Sequence, residues 1–340
     1  TQPKKAFGAL IQHFTGSKNH NIKLREHALS IGMSLSEHGI KYLNNKTQTI
    51  HKFDTEEKFY NAIGMDWIPP ELREDADEVE LAIKHNLPKL VRLEEIKGDL
   101  HIHSNFPIDP SHDLGNNSIQ EMTVRAKDLK YEYIGFSEHN PSISKHTKKQ
   151  IYDLIARRND HIEQIKSDNK SIRILKLLEI DILVNGNIAI DNKSLELLDG
   201  AIVSIHSSFG LSKEIMTKRV LQGLSHPKAK ILAHPTGRML NQRPGYELNF
   251  EKIFEFCKKN EKALEINSWP TRLDLPDNII KQAVENGVKL VINTDSHAAE
   301  QMNLMKYGIA MARRGWAQKS DILNTLEYNQ FIEWLKGGES

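Results

Sequence analysis

The chain has 340 residues, 46 basic and 45 acidic side chains, a formal net charge of +1 and 39% hydrophobic residues. This length allows one large domain and a small one with a buried core. The balanced charge excludes a protein that binds nucleic acid through an overall basic field, and the sequence shows neither a signal peptide nor an apolar span of about twenty residues. A soluble cytoplasmic enzyme is therefore expected.

Charge is distributed unevenly over the first part of the chain. Residues 1–52 contain eight Lys or Arg and two acidic residues, whereas residues 53–97 contain six Lys or Arg and twelve acidic residues. The basic segment is the expected place for any contact with a polyanion in this part, and a solvated charged surface is the alternative. We place a domain boundary between residues 97 and 98, so that a small α+β domain with an acidic linker precedes a larger domain, 98–340.

From residue 98 onward, strand-like and helical patterns alternate, which indicates a parallel α/β architecture. Strands are predicted over 99–103, 133–137, 174–181, 201–205, 231–234, 263–266 and 289–293. Helices are predicted over 118–130, 147–168, 212–223, 249–259 and 276–286. Polar side chains follow most of the strands rather than one switch point, and this spread favours a closed barrel over an open sheet.

Nine potential metal ligands lie at or near the ends of these strands. They are His101, His103, Asp113, His139, Glu179, His206, His234, Asp295 and His297. Any one histidine alone is more often a surface or core residue, but nine at equivalent places are hard to explain without metal. Imidazoles and carboxylates that meet in one pocket would hold several divalent cations, which are suited to hydrolysing phosphate esters.

The order and spacing of these residues resemble the PHP (polymerase and histidinol phosphatase) domain over residues 98–340. The resemblance implies a distorted seven-stranded β/α barrel and three divalent metals, for which Zn, Mn and Fe all suit the donors. It implies that His101, His103, Glu179 and Asp295 bind the first metal and are catalytic. Glu179 would bridge to a second metal held by His206 and His234, and Asp113, His139 and His297 would bind the third.

Two ligand positions have rivals in the sequence. The family usually has a short Ser-Asp-Gly loop after its two histidines, whereas this chain has the longer SNFPIDPSHDLGNNS, which offers Asp109, His112 and Asp113. Asp113 is favoured because it lies nearest the start of the next helix, and Asp109 stays an alternative. Asp181 lies two residues after Glu179 on the same strand face, and the resemblance favours Glu179.

Residues 13–40 and 54–75 resemble the beginning and the end of the thumb subdomain of X-family DNA polymerases. The family tract Tyr-Phe-Thr-Gly-Ser corresponds to His13–Ser17, so a histidine replaces the tyrosine. The resemblance implies that Asn21 and Arg25, four residues apart on one helix face, touch DNA. Ordinary polar residues on a solvated helix are the alternative for both.

Together the two resemblances identify a bacterial X-family DNA polymerase with a C-terminal PHP domain, and they imply a 3′–5′ exonuclease of DNA repair that could also process abasic sites or 3′-phosphates. No aspartate lies between Ser17 and Asp54, so we expect no polymerase centre in this chain and any palm domain upstream of it. DNA is the expected partner, and no membrane association is expected.

The expected mechanism is metal-assisted hydrolysis of a phosphodiester. Arg238 and Arg272 follow barrel strands and are assigned to phosphate binding, with surface ion pairing as the alternative. A small-molecule phosphatase of the histidinol-phosphate type would use the same ligands but would need no thumb-like lobe. A non-catalytic scaffold for a polymerase is the other alternative, and the complete ligand set argues against it.

Overall fold

The computed structural model describes residues 3–44 and 49–337 and has two compact units that divide between Lys89 and Leu90. Residues 90–97, which the sequence grouped with the linker, contact the second unit: the Val91 N–H donates to the Ala317 carbonyl and the Lys97 N–H to the Asn324 carbonyl, at 3.0 and 2.8 Å. In the described part of the chain, no helix is long and apolar enough to span a membrane.

The first unit combines four helices with a small antiparallel sheet of order β1-β2-β3. The helices are α1 (Phe7–Thr15), α2 (Lys18–Ser30), α3 (Glu56–Ala62) and α4 (Glu78–Ile83), and the strands are β1 (Met33–Ser36), β2 (Gly39–Tyr42) and β3 (Ile50–His51). Helix α2 begins after Ser17, whose hydroxyl accepts from the His20 N–H and so satisfies one of the free donors of the first turn. The buried His20 ring lies 2.7 Å from Glu78 and 3.0 Å from the Tyr60 hydroxyl, which ties α2 to α3 and α4.

The second unit alternates strands and helices, as the sequence predicts. Its strands are β4 (Gly98–Ile102), β5 (Tyr133–Phe136), β6 (Arg173–Lys176), β7 (Glu179–Asp181), β8 (Ala201–Ser204), β9 (Ala229–Leu232), β10 (Ala263–Asn267) and β11 (Lys289–Asn293). Its helices are α5 (Ile119–Asp128), α6 (Lys148–Asp168), α7 (Asn192–Leu195), α8 (Lys213–Leu224), α9 (Phe250–Lys259), α10 (Asp277–Glu285), α11 (Met305–Arg314) and α12 (Tyr328–Lys336).

The strands form two parallel sheets, with orders β4-β5-β6 and β11-β10-β9-β8-β7. An isolated parallel bridge between Ile102 and Ser296 links the β4 and β11 edges. Another bridge, between His139 and Glu179, links the chain after β5 to β7. The described strands are therefore two parallel sheets joined by two isolated bridges, one between the β4 and β11 edges and one from the segment after the central strand β5 to the β7 edge. Their ladders do not form a closed ring.

One strand prediction is wrong, because the run 174–181 forms two strands. The Leu177 N–H donates to the Phe136 carbonyl on the β5 side at 2.9 Å, whereas the Leu178 carbonyl accepts from the Ile202 N–H on the β8 side at 3.0 Å. The chain thus changes neighbours between these two leucines. The sequence shows only a continuous apolar run there, so the pattern could not reveal the change.

The apolar core of the second unit has two parts. The larger part lies between the strands and the helices around them, and it includes buried residues such as Ile134, Ile155 and Val220. The smaller part joins both sheets and is covered by α12. It contains Leu100, Tyr133, Leu175, Ile202, Ile231, Ala263 and Val291 from seven strands, with Phe331 and Leu335 of α12.

A buried ion pair holds helix α6 against the end of β5. The Arg158 Nε donates to Glu138 at 2.7 Å, its Nη2 donates to the Phe136 carbonyl at 2.6 Å, and both charged side chains are almost fully buried. The other oxygen of Glu138 accepts from the Ser104 hydroxyl at 2.5 Å. Glu138 therefore connects the segment after β4 with α6, one residue before the candidate ligand His139.

We expect Glu138→Ala to destabilise the second unit by about 3–5 kcal/mol, because the Arg158 charge stays buried without its partner. Urea unfolding followed by far-UV circular dichroism measures this change. Glu163→Ala is the matched control, since Glu163 forms a half-exposed pair with Lys166 at 2.9 Å that contributes about 0–1 kcal/mol. Equal shifts in the two variants would contradict this role of the buried pair.

Candidate metal centre

The nine predicted ligands meet at the carboxyl ends of the strands. His101 lies in β4, Glu179 opens β7, and the others follow β4, β5, β8, β9 and β11. Glu179 is the first residue of β7 but lies with the other ligands at the carboxyl ends of the strands. The reason is that β6 comes immediately before it, and the chain changes from one sheet to the other between β6 and β7. The backbone of His234 and Asp295 has positive φ, 27° and 55°, which is uncommon outside glycine and turns these two side chains out of the strand direction.

The buried carboxylate of Glu179 lies at the middle of the cluster, and its two oxygens face different imidazoles. The Oε1 atom lies 2.8 Å from His234 Nε2 and 3.3 Å from His206 Nε2. The Oε2 atom lies 2.9 Å from His139 Nδ1 and 3.2 Å from His101 Nε2. This carboxylate can therefore be shared between two cations, one on each side.

Asp295 closes the side of the cluster that faces the two histidines of β4. Its Oδ1 atom lies 3.5 Å from His101 Nε2 and 3.2 Å from His103 Nε2. Its Oδ2 atom accepts from the Asn267 side chain at 3.1 Å and lies 3.6 Å from the Arg272 Nε. The three residues His101, His103 and Asp295 form one of the groups that can hold a metal ion.

The long loop after β4 brings Asp113, and not Asp109, to the cluster. One oxygen of Asp113 lies 3.3 Å from His139 Nε2 and the other lies 3.4 Å from His297 Nε2. Asp109 instead lies 3.6 Å from His146. His112 also reaches the cavity, where its Nε2 lies 3.2 Å from the Asp181 Oδ1.

Several buried atoms of the cluster have no hydrogen-bond partner among the described residues, although oppositely polar atoms lie close by. These atoms are His101 Nε2, His103 Nδ1 and Nε2, His139 Nδ1, Glu179 Oε2, His234 Nδ1 and His297 Nε2. Buried polar atoms are nearly always satisfied, so a group of orphaned atoms calls for an explanation. Imidazole nitrogens and carboxylate oxygens that point at common positions are suited to divalent metal ions, and the donor set fits such ions.

The electrostatics of the cluster keep its carboxylates charged. Burial raises the pKa of Glu179, but the surrounding imidazoles, His139 and His101 first, outweigh this and hold the pKa well below its usual range. Burial lowers the pKa of His139, but Glu179 and Asp113 outweigh it and raise that pKa to about 10. Without cations, therefore, protons on imidazoles balance the buried negative charge.

A second layer of carboxylates orients two of the imidazoles. Glu265 of β10 is fully buried, and its Oε1 lies 2.7 Å from His101 Nδ1, so that the Nε2 of the same ring is directed toward Glu179. Asp181 has the same relation to His206, with 2.7 Å between its Oδ1 and the ring Nδ1. Such partners fix the tautomer of an imidazole ligand.

The sequence prediction did not include Glu265. An acid in the middle of the apolar strand ALEIN was the available signal, because a charged side chain is rarely buried without a partner. Asp181 was considered only as a rival of Glu179, and the structure places it behind His206 instead.

The cluster opens into a cavity of about 360 Å³. Besides the ligands, Arg272 lines it together with Phe209, Met239, Gln242 and Arg243. Arg238, the other predicted phosphate-binding residue, donates from its guanidinium to the Arg272 carbonyl at 2.9 Å and to the Leu273 carbonyl. The structure therefore brings Arg272 to the cavity and uses Arg238 to hold the loop that carries it.

In the first unit, the predicted DNA-binding residues lie on α2. The Asn21 amide accepts from Gln12 at 2.7 Å and donates to the His13 carbonyl at 2.9 Å. The exposed Arg25 lies 3.3 Å from the His13 ring. Asn21 thus holds the end of α1, while the guanidinium of Arg25 is open to solvent.

Comparisons with known proteins match the beginning of the chain and nearly its whole length. The family model of the DNA polymerase beta thumb matches residues 10–74. The chain is 36% identical over 333 residues to the DNA polymerase/3′-5′ exonuclease PolX of Bacillus subtilis (strain 168), an alignment that includes 98% of this chain and 56% of that protein. The chain thus spans little more than half the length of this relative.

Two further similarities are more distant. A protein of Thermoanaerobacter sp. (strain X514) named "Probable phosphatase" is 27% identical over 177 residues, 49% of this chain and 69% of that protein. A solved structure of a 2-keto 3-deoxygluconate aldolase from Picrophilus torridus covers 61% of this chain and 83% of its own, with a TM-score of 0.31 and 13% identity.

The hydrogen bond from His101 to Glu265 leads to a prediction about metal affinity. In Glu265→Gln, a neutral amide replaces the anion that orients the ring, and we expect divalent metal affinity to fall about 10- to 100-fold. Competition with a chromophoric chelator measures it. The exposed Glu261→Gln should leave the affinity unchanged. Equal affinity of Glu265→Gln and the parent would show that His101 needs no such partner.

Proposed function

We propose that the chain belongs to the bacterial X-family DNA polymerases and that its second unit is a metal-dependent phosphodiesterase that removes nucleotides from the 3′ end of DNA. The observation that carries the proposal is the convergence of nine potential ligands, Glu179 at their centre, on one cluster, seven of which line an open cavity. The printed name of the Bacillus relative, which includes a 3′-5′ exonuclease, supports the choice of reaction. The same centre would also act on abasic sites or 3′-phosphates.

For the second unit we propose the distorted seven-stranded barrel of PHP domains, with the functional division of the chain after residue 97. The bridges Ile102–Ser296 and His139–Glu179 support it, because they join the two parallel sheets at two places. The core shared by seven strands and capped by α12 supports it as well. In a barrel, ligands from many strands meet at the carboxyl end, where these nine lie.

We assign three divalent metals, of which Zn, Mn and Fe suit the donors. His101, His103, Glu179 and Asp295 would hold the first. The second would lie between Glu179, His206 and His234, and the third between Asp113, His139 and His297. The distances of 2.8–3.6 Å between the donor atoms within these groups support the assignment.

When bound, such cations would lower the pKa of a water and neutralise charge that develops on the phosphate. The chain's own residues do the rest. Glu179 and Asp295 supply fixed negative charge, and Glu265 and Asp181 orient the rings of His101 and His206. Arg272 lines the cavity and can donate to a phosphate oxygen, with Asp295 limiting where its guanidinium points.

The proposal predicts stepwise shortening of a 5′-labelled oligonucleotide from its 3′ end by the full chain with Mn²⁺. His103→Ala should lower the rate of DNA shortening at least about 100-fold. The substitution removes a metal ligand itself, which costs more than the loss of a residue that only orients a ligand. Chelation of the metal should have the same effect. Denaturing gel electrophoresis of timed samples shows both the rate and the direction.

The matched control is His85→Ala, since His85 is an exposed histidine of the first unit and should not matter. Equal rates for His103→Ala and the parent would refute the metal centre as the active site. Hydrolysis of p-nitrophenyl phosphate without any shortening of DNA would instead favour a small-molecule phosphatase.

The first unit would hold DNA, because it matches a polymerase thumb and contains the basic segment. We expect Arg25→Ala to weaken DNA binding and to reduce the slope of log affinity against log salt by about 1, as loss of one phosphate contact does. Fluorescence anisotropy at several salt concentrations gives the slope. The exposed Lys58→Ala, which removes a cation that pairs with Asp54, is the control, and an unaltered slope in Arg25→Ala would exclude Arg25 from the interface.

A further inference from the structure

One wall of the cavity beside the metal ligands has no role in the proposed chemistry. It consists of Phe209, which follows β8, and of Met239, Gln242 and Arg243 from the loop after β9. This nucleoside wall, as we name these four residues, combines an aromatic ring, a thioether, an amide and a guanidinium. A bare phosphate group would use none of the apolar surface that it offers.

The planar groups of this wall are stacked and fixed. The Arg243 guanidinium carbon lies 3.9 Å from the centre of the Phe209 ring, which is close for a cation over an aromatic face. The Nε and Nη2 of Arg243 both donate to the Gly237 carbonyl, at 3.1 and 2.8 Å. The Phe209 ring also stacks on the buried Tyr246 ring, with centres 6.1 Å apart and an interplanar angle of 22°. The guanidinium plane is therefore held in one orientation.

The loop that carries this wall is itself held in place. Met239 and Arg243 exchange two backbone hydrogen bonds of 2.8 Å, and the Tyr246 N–H donates to the Thr236 carbonyl at 2.9 Å. Gly237 has φ +61°, and a Cβ at this position would meet the Tyr246 ring at 2.6 Å. A loop with these constraints presents its side chains without a large ordering cost when a ligand binds.

We propose that the nucleoside wall stacks on the base of the nucleotide whose phosphate lies at the metal ligands. Nucleobases stack on aromatic rings and on arginine planes, and such contacts tolerate every base because each has a π face. The inference rests on the proposed function for its substrate class, and it adds that the enzyme recognises a nucleoside and not only a phosphodiester. Gln242 would contact the base edge or the sugar without choosing among bases.

The test compares two sugar 5-phosphates, one with a base and one in which a hydroxyl takes the place of the base. Isothermal titration calorimetry of the full chain reconstituted with Mn²⁺ gives its affinity for dAMP and for 2-deoxyribose 5-phosphate. We expect dAMP to bind about tenfold more tightly, within the range for one stacked base. In Phe209→Leu the ring that lies against the Arg243 guanidinium is lost, so the stacking surface is no longer held flat and this preference should fall to about twofold or less.

Arg243→Lys is the second variant, because it keeps the positive charge and removes the plane, and it should also reduce the preference. Phe250→Leu is the matched control: Phe250 is a half-buried aromatic of α9 that packs on Phe254, away from the cavity lining, and its replacement should leave the preference at the parent value. Equal affinity of the parent for the two phosphates, including no measurable binding of either, would overturn the inference. So would a tenfold preference retained in both Phe209→Leu and Arg243→Lys.

DNA hydrolysis does not enter this measurement, so the two proposals can fail separately. A parent chain that prefers dAMP through Phe209 but shortens no 3′ end would overturn the proposed exonuclease alone. A chain that shortens DNA but binds both phosphates equally would overturn the nucleoside wall alone.

Discussion

The negative charge of Glu179 is buried among imidazoles that come from both parallel sheets. The arrangement of strands in the second unit has to bring these imidazoles around it. The imidazoles within 3.6 Å of its oxygens are those of His101, His103, His139, His206 and His234. Removing a carboxylate from water costs several kcal/mol unless partners surround it. The partners reach it only because strands of both sheets end at one level, and the His139–Glu179 bridge fixes that level where the sheets meet.

The cluster is therefore a place where protons and cations compete. His139 has a pKa raised to about 10 by the Glu179 and Asp113 carboxylates against the opposing effect of burial, so it is protonated near neutral pH when no cation is present. A ring must lose that proton to bind a metal, and metal affinity consequently falls as pH falls. Glu265 sharpens the same competition at His101. An anion behind a ring makes its other nitrogen more basic, so that nitrogen holds either a proton or a cation more strongly.

The sequence predicted the elements of the second unit well because strands and helices there have distinct hydrophobic periods. Helix α6 was expected over 147–168 and occupies Lys148–Asp168. The division of 174–181 into β6 and β7 was missed because it depends on which neighbour each leucine faces, and that is information about distant residues. The way in which the two sheets join could not be predicted either, because it depends on the register between strands that are far apart in the sequence.

In the site, the sequence predicted the residues that are identified by their type and their place after a strand. It could not predict roles that depend on the direction in which a side chain points. Asp113 and Asp109 could not be separated by spacing alone, and only the path of the loop brings Asp113 to His139 and His297. Arg238 and Arg272 looked equivalent in the sequence, yet one guanidinium holds a loop and the other lines the cavity. Glu265 escaped because a buried acid in a strand shows its partner only in three dimensions.

Substrate choice in such a centre has to come from the loops rather than from the ligands. The proposed ligand cluster would recognise charge, which phosphate monoesters and diesters share. The segments that reach over the cluster are the long loop with His112 and Asp113 and the loop with Met239 and Arg243. Loops on a rigid scaffold can change without loss of the core. On the proposed function, the fixed backbone of the second loop would keep a flat, partly apolar surface beside a charged one, an arrangement that suits a nucleotide better than a small polar ester.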